Sequence, residues 1–248
     1  MKLLIEKDYT SLSKKGAEII AEFVRKKPEC VLGLATGSTP LGIYEELIRQ
    51  HRLGGNAGLD FSKVTTFNLD EYCGLEESNP QSYHYYMREN FFNHVNLRPE
   101  NINIPNGNSA DPHQECIRYE AALEASGGVD LQLLGLGPNG HIGFNEPDEH
   151  LILDTHVVGL SQETIEANSR FFVSAEQVPR AAITMGIGSI MKAKKILLVV
   201  NGKGKADIVR KIMEERSISP KIPASILHVH PDATILLDSE SASALERN

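Results

Sequence analysis

Short apolar runs recur along the chain and predict buried strands. They cover residues 31–34, 64–69, 129–134 and 196–200. Each run is too short for a helix and is followed by glycine, proline or polar residues, as is usual where a strand enters a loop.

Amphipathic segments between these runs predict helices. Apolar residues recur at helical spacing in 11–26, 41–53, 111–126 and 206–215, and residues 80–94 have a helical, aromatic pattern. Pro28 ends the first helix, and Pro40 is suited to be the first residue of the second. Strands that alternate with helices predict an α/β fold with helices on both faces of a mostly parallel sheet.

The chain shows no internal repeat and no linker that would divide it. We therefore expect a single domain over residues 1–248. The polar end of the chain, residues 239–248, is expected to be frayed.

Composition narrows the possible partners. The formal net charge is −8, which argues against a nucleic-acid partner because such partners usually require a basic surface. The N-terminus has an apolar run of only three residues before a charge, so neither a signal peptide nor a membrane partner is expected. Cys30, Cys73 and Cys116 lack the spacing of a disulfide framework or a zinc site, which favours a reducing, cytoplasmic location.

The segments that carry chemical groups each follow a predicted strand. They are ATGSTP (35–40), LDEY (69–72), GLGPNGHIGFNEP (135–147) and NGKGK (201–205). Ligands of open parallel sheets bind in the crevice beyond the carboxyl ends of the strands. We therefore expect these four loops to line one pocket.

ATGSTP joins a strand to a helix start and is suited to bind an anion. Its backbone N–H groups and the hydroxyls of Thr36, Ser38 and Thr39 can surround a phosphate at the positive end of the helix. The alternative is an ordinary helix start with Thr39 as its N-cap. NGKGK adds a cation, Lys203 or Lys205, although such a turn is more often simply solvated.

Two segments offer groups for proton transfer. A shielded carboxylate in LDEY, such as Asp70, can act as a general base, and an exposed acidic turn is the alternative. In the glycine-rich loop, Glu146 can orient His141 so that the second ring nitrogen handles a substrate proton. Glycine suits a backbone that closely approaches a ligand, but a plain surface turn would also use it.

Other motifs do not extend this site. His228 and His230 alternate along the chain with no nearby acid, so buried or capping roles are favoured over a metal site. SYHYYM (82–87) is more typical of helix packing than of a ligand set. There is no G-x-S-x-G motif, so a hydrolase with a covalent nucleophile is not expected.

Five motifs in this order, LATGSTP, FNLDEY, GHIGFNEP, ANSRFF and the late Gly-Lys loop, resemble the glucosamine-6-phosphate deaminase family over residues 1–238. The resemblance implies a modified doubly wound, Rossmann-like α/β fold. It implies an enzyme of amino-sugar catabolism that converts glucosamine 6-phosphate and water into fructose 6-phosphate and ammonia. The resemblance also implies that neither a metal nor an organic cofactor is needed.

The resemblance implies a role for each matching residue. It makes Asp70 the base that moves a proton from C2 to C1, and His141 the ring-opening acid–base, assisted by Glu146. Many family members carry Asp where this chain has Asn139, for which we expect an orienting role in ring opening. The implied phosphate site consists of Thr36, Gly37, Ser38, Thr39, Arg170 and Lys205.

Regulation is expected to differ within the family. Some members are hexamers activated by N-acetylglucosamine 6-phosphate, which meets serines and basic residues just after the NEP motif. Here residues 148–158 contain three acidic residues and no serine, lysine or arginine, so a phosphate would be repelled. We expect a monomer without this activation, and a lid over residues 155–185 with Arg170 near its middle.

Two other functions remain open from the sequence alone. A 6-phosphogluconolactonase would share the fold and the Gly–His loop but hydrolyse a lactone, and the GFNEP continuation favours the deaminase. A sugar-phosphate-sensing domain of a transcription regulator would need a basic helical module, for which this chain has no spare segment.

Overall fold

A seven-stranded parallel sheet forms the centre of the protein. The computed structural model describes residues 1–55, 58–160, 165 and 178–246. The strands are β1 (Lys2–Glu6), β2 (Val31–Leu34), β3 (Thr65–Asn68), β5 (Ile102–Asn103), β6 (Leu131–Gly135), β9 (Lys195–Val200) and β10 (Ala233–Asp238). Their order across the sheet is β1-β10-β9-β6-β2-β3-β5, and every neighbouring pair is parallel. The predicted mostly parallel α/β sheet is confirmed.

A second, smaller sheet adjoins the first and was not predicted. Its antiparallel strands are β4 (Asp70–Tyr72), β7 (His156–Gly159) and β8 (Ala181–Thr184), in the order β4-β8-β7. Leu69 alone separates β3 from β4, and its backbone bonds to both sides: Leu69 N–H donates to Leu34, and Met185 N–H donates to Leu69. The chain therefore changes sheets immediately before Asp70.

Helices flank the large sheet. They are α1 (Tyr9–Lys26), α2 (Leu41–His51), α3 (Tyr83–Asn90), α4 (Pro112–Ala125), α5 (Ile187–Met191) and α6 (Ala206–Glu214). Each predicted helix is present, with bounds inside the predicted segment or within two residues of it. Asp8, Ser82 and Asp111 cap the first, third and fourth helices through their side chains, which explains where these helices start. None of the helices described here combines the length and the apolarity that a membrane crossing needs.

The main hydrophobic core lies between the sheet and its helices. Its largest fully buried side chains include Tyr44, Tyr119, Phe61, Phe67 and Phe91. A smaller cluster around Tyr72 and Phe144 lies under the second sheet, where the two ring centroids are 5.7 Å apart. This second cluster supports the segments that carry the candidate chemistry.

Part of the chain end packs against the large sheet. Ser241 is fully buried, and its hydroxyl donates to the Val200 carbonyl at 3.0 Å. Leu245 packs against the main core. A frayed tail stays a prediction; within the described residues, Ser241 bonds at the end of β9, a contact that polar composition alone does not reveal.

Asp130 ties three segments together at the amino-terminal edge of the sheet. Its buried carboxylate accepts hydrogen bonds from Lys27 Nζ at 2.6 and 2.7 Å and from Lys194 Nζ at 2.7 Å. It also accepts the Val31 N–H at 2.9 Å, at the start of β2. Burial alone would raise the pKa of Asp130, but the two ammonium groups and this N–H outweigh it and lower the pKa.

We predict that Asp130→Asn destabilises the protein by about 2 kcal/mol at neutral pH, because hydrogen bonds to charged groups contribute about this much each. Urea unfolding measures the loss. Since the carboxylate has a lowered pKa in the folded state, its stabilising effect is present above about pH 4 and is lost as the pH falls further. The matched control is Asp232→Asn, whose side chain is 54% exposed and pairs with Lys195 Nζ at 3.0 Å. Equal losses in both variants would contradict this account.

Candidate active site

The four candidate loops leave four adjacent strands of the large sheet. The segments at 35–40, 69–72, 136–147 and 201–205 follow β2, β3, β6 and β9, whose order is β9-β6-β2-β3. Parallel strands end at the same edge, so the loops lie side by side there. The arrangement of the strands therefore agrees with the predicted convergence.

The loop at 35–40 enters α2 without a side-chain cap. Pro40 holds the N-cap position, and no side chain caps the helix there. Thr39 Oγ1 instead donates to Asn201 Oδ1 at 2.7 Å, so the alternative of Thr39 as N-cap is wrong. This bond joins the loop after β2 to the loop after β9. Sequence reasoning missed Asn201, although it is the first residue of NGKGK.

Lys205 lies at the start of α6. A 3-10 turn, Lys203–Lys205, precedes the helix, and Lys205 occupies the N-cap position with a half-buried side chain. The Gly202 N–H donates to both carboxylate oxygens of Asp238, at 3.0 and 3.1 Å. The turn is therefore fixed to the end of β10.

Asp70 and Glu71 are both buried, so the exposed-turn alternative for LDEY is wrong. Asp70 is 7% exposed and Glu71 is 1% exposed. Burial, and secondarily the negative charge of Glu71, raises the pKa of Asp70 to about 8. Successive strand residues face opposite sides, so the two neighbouring carboxylates have different surroundings.

Glu71 caps α3. Its carboxylate accepts the backbone N–H groups of Tyr72, Tyr83 and His84 at 2.8, 2.9 and 2.9 Å. It also pairs with His84 Nδ1 at 2.8 Å. A carboxylate is favourable at a helix N-terminus, where N–H groups lack helical partners. Glu71 therefore has a structural role. Because it is distant in sequence from the helix that it caps, the local sequence pattern does not reveal this role.

His141, Glu146 and Asn139 form a compact hydrogen-bonded group. His141 Nδ1 lies 3.2 Å from Glu146 Oε2, and Asn139 Nδ2 donates to that same oxygen at 2.7 Å. The His141 backbone N–H donates to Asn139 Oδ1 at 3.2 Å. The His141 and Glu146 side chains are 19% and 14% exposed, so they remain partly open to solvent.

Two glycines make this geometry possible. A Cβ on Gly137 would lie 2.3 Å from the His141 ring, so only glycine leaves room for that ring over the backbone. Gly143 has a φ of +58°, and a Cβ there would lie 2.9 Å from Thr184 Oγ1. The same point is 3.7 Å from Asp70 Oδ2, so the histidine loop runs directly past Asp70. The glycines thus serve close approach and a left-handed turn.

β8 anchors the histidine loop. Thr184 Oγ1 accepts the Phe144 N–H at 3.1 Å, and Asn145 Nδ2 donates to the Met185 carbonyl at 2.8 Å. Thr184 is also the register partner of Asp70 in the second sheet. A single strand therefore holds both Asp70 and the loop of His141.

Some predicted features cannot be placed. Arg170 and most of the expected lid at 155–185 lie outside the described residues; β7 and β8 account for parts of that segment. His228 and His230 bond to the Ile212 and Ala193 carbonyls, in agreement with the favoured buried or capping roles.

A cavity of about 720 Å³ lies at the opposite edge of the sheet, beside α1. Several lysines line it, but Lys27 and Lys194 are bonded to Asp130, and Lys195 is paired with Asp232. The groups suited to proton transfer lie at the other edge. We therefore place the candidate active site at the carboxyl ends of the strands.

The arrangement there combines three chemical abilities. It provides a buried carboxylate that binds a proton at neutral pH, a histidine paired with a carboxylate, and a loop at a helix start suited to an anion. These groups suit proton transfer on a small anionic molecule.

Comparison with known proteins agrees with this site. A model of the family described as glucosamine-6-phosphate isomerases/6-phosphogluconolactonase matches residues 6–236. The glucosamine-6-phosphate deaminase of Thermoanaerobacter pseudethanolicus is 55% identical over 245 residues, which cover 99% of this chain and 95% of that protein.

Solved structures agree as well. A monomeric glucosamine-6-phosphate deaminase superposes with a TM-score of 0.95 at 49% identity, over 98% of this chain and 100% of that chain. The 6-phosphogluconolactonase from Trypanosoma cruzi gives 0.78 at 18% identity, over 99% and 97%, which shows a shared fold alone. This chain belongs to the glucosamine-6-phosphate isomerase/6-phosphogluconolactonase family and, within it, to the glucosamine-6-phosphate deaminases.

Proposed function

We propose that this enzyme converts glucosamine 6-phosphate and water into fructose 6-phosphate and ammonia. The observation that carries the proposal is the position of Asp70, a buried carboxylate with a raised pKa beside the loop of His141. Moving a proton between two adjacent carbons requires one base within reach of both. A lactonase would have no carbon-bound proton to move.

The first step is binding of the substrate through its phosphate group. The N–H groups of residues 36–39 and the ammonium of Lys205 belong to the loops that follow β2 and β9, and Arg170 is proposed as a further cation. A dianion held at C6 fixes the sugar without taking part in the reaction. Such remote binding lowers the entropic cost of aligning C1 and C2 with the catalytic groups.

Ring opening is assigned to His141 and Glu146. Opening the pyranose moves a proton from the O1 hydroxyl to O5, which needs a group that both accepts and donates. With Glu146 at Nδ1, the other ring nitrogen of His141 is left for the substrate. Asn139 holds the Glu146 oxygen that pairs with His141, which supports the orienting role.

Asp70 then catalyses the isomerisation. Its carboxylate takes the proton from C2 of the open-chain sugar to give an enolamine, and returns it to C1. The resulting C2 imine is hydrolysed by water to fructose 6-phosphate and ammonia. The pKa of Asp70 is about 8 in the free enzyme; the ammonium group on C2 of the bound substrate favours the carboxylate form that the step needs.

We further propose that the enzyme is a monomer without activation by N-acetylglucosamine 6-phosphate. The similar solved structure is of a monomeric deaminase. The segment after NEP exposes Asp148, Glu149 and Asp154. Carboxylates there would repel a phosphate, so no activator site is expected in this segment.

We predict that Asp70→Asn lowers kcat by about 10²- to 10⁴-fold, because an amide cannot accept the C2 proton. Release of ammonia and fructose 6-phosphate from glucosamine 6-phosphate measures this. The matched control, Asp232→Asn, lies at the opposite edge of the sheet and should keep full activity. Wild-type protein that releases neither product would refute the function itself and call for a lactonase assay.

A stability measurement separates loss of the base from misfolding. Because the pKa of Asp70 is raised to about 8 in the folded state, folding takes up a proton. Wild-type stability therefore falls between about pH 4 and pH 8, by up to roughly 1.4 kcal/mol per pH unit. Asp70→Asn lacks this titration and should be more stable than the wild type at pH 7 but not at pH 4. A less stable variant at pH 7 would contradict the raised pKa.

We predict that Asn139→Asp keeps activity but shifts the acidic limb of the pH profile of kcat/KM upward by about one unit. A second carboxylate beside Glu146 adds negative charge to this hydrogen-bonded group and so favours its protonated form. Asn139→Ala removes the contacts without adding charge and should slow the reaction without that shift. An Asn139→Ala variant with wild-type kcat/KM would count against the orienting role.

We predict a single species of monomer mass in sedimentation equilibrium. The rate at subsaturating substrate should change by less than twofold when N-acetylglucosamine 6-phosphate is added. A rate that rises severalfold with the acetylated sugar would overturn the proposed absence of activation.

A further inference from the structure

Tyrosine hydroxyls hold the backbone carbonyls of the loop at 35–40. Tyr86, on α3, donates to the Gly37 carbonyl at 2.6 Å. Tyr9, at the start of α1, shares its one hydroxyl hydrogen between the Ser38 and Thr39 carbonyls, at 3.0 and 3.1 Å. Tyr44, on α2, donates to the Ala35 carbonyl. Three side chains from three helices thus fix the carbonyl side of one short loop.

Fixing a carbonyl also fixes the next N–H group. In a planar trans peptide the C=O and N–H bonds point in opposite directions. The bond from Tyr86 to Gly37 therefore sets the direction of the Ser38 N–H. In the same way, the bond from Tyr9 to Ser38 sets the direction of the Thr39 N–H.

These N–H groups are left for an external acceptor. Within the described ranges, the N–H groups of Gly37, Ser38 and Thr39 have no hydrogen-bond acceptor in the protein. Gly37 has a φ of +98°, a conformation that brings successive N–H groups of a loop to one side. Unpaired N–H groups that converge at a helix start form an anion site.

We propose that Tyr86 and Tyr9 are positioning residues for substrate phosphate, because they hold the loop with the Ser38 and Thr39 N–H groups directed at a phosphate monoester. The inference rests on the proposed function and deepens it, since both tyrosines act through the backbone of the loop at 35–40. These bonds hold the loop in its binding conformation before the substrate arrives, which lowers the entropic cost of binding.

The bond from Tyr86 is suited to this task. Partial burial raises the pKa of its phenol, so the hydroxyl stays protonated and donates at every physiological pH. Tyr86 also packs against the main core, which keeps the ring in place if the hydroxyl is removed. Tyr9 has a second task, because its oxygen accepts the Gly42 N–H at 2.9 Å in the first turn of α2.

The test is Tyr86→Phe, which removes one hydroxyl and keeps the ring. We expect inorganic phosphate to bind about fivefold more weakly by calorimetry, the size of one lost hydrogen bond. KM for glucosamine 6-phosphate should rise by a similar factor, and kcat should stay within twofold. A merely structural role would lower stability or kcat and leave phosphate affinity unchanged.

The matched control is Tyr85→Phe, one residue earlier on the same helix. The Tyr85 hydroxyl makes no hydrogen bond within the described part of the chain, so phosphate affinity and KM should be unchanged. Tyr9→Phe should weaken phosphate binding as Tyr86→Phe does. The double variant should lose less than the product of the two effects, since both bonds hold one loop.

Two outcomes would overturn the inference: wild-type phosphate affinity in a folded Tyr86→Phe, or an equal loss in Tyr85→Phe. Phosphate binding is measured without turnover, so it distinguishes this inference from the proposed reaction. Wild-type protein that binds phosphate but releases no ammonia would refute the reaction alone.

Discussion

The parallel pairing of β3, β2, β6 and β9 is the constraint on which the site depends. Their ladder hydrogen bonds bring the carboxyl ends of four strands to one edge, so four loops distant in sequence become neighbours. Side chains alternate along a strand, and a slip of one residue would turn each strand's last side chain to the other face. The positions of Asp70 and of the loops after β2 and β6 thus follow from backbone pairing in the core.

Much of this arrangement could be predicted because its signals are local. Apolar runs and helical spacing located the large sheet and its helices, and the polar motifs at strand ends indicated where a site would form. The second sheet could not be predicted in this way. β4 has three residues, and its pairing with β8 joins segments more than a hundred residues apart. The burial of Glu71 and the bond between Thr39 and Asn201 depend likewise on tertiary packing.

Asp70 and Glu71 show how neighbouring carboxylates can take different tasks. Glu71 is surrounded by hydrogen-bond donors at the start of α3, which stabilise its charge. The Asp70 carboxylate makes no hydrogen bond within the described residues, and burial together with the charge of Glu71 favours its protonated form. Two neighbouring acids whose environments give them different proton affinities are a recurrent feature of proton-transfer sites. Here Glu71, which has the structural role, also contributes to the raised pKa of Asp70, the proposed base.

Helix α3 connects Glu71, next to the proposed base, with the loop at 35–40, which is proposed to bind phosphate. Glu71, adjacent to the proposed base, binds the first turn of the helix, and Tyr86 within the helix holds the loop at 35–40. The stretch between these attachments is rigid, since an α-helix rises about 1.5 Å per residue with little variation. The helix therefore ties the position of the proposed base to that of the loop at 35–40. A displacement of the helix would therefore move the support of both parts of the candidate site together.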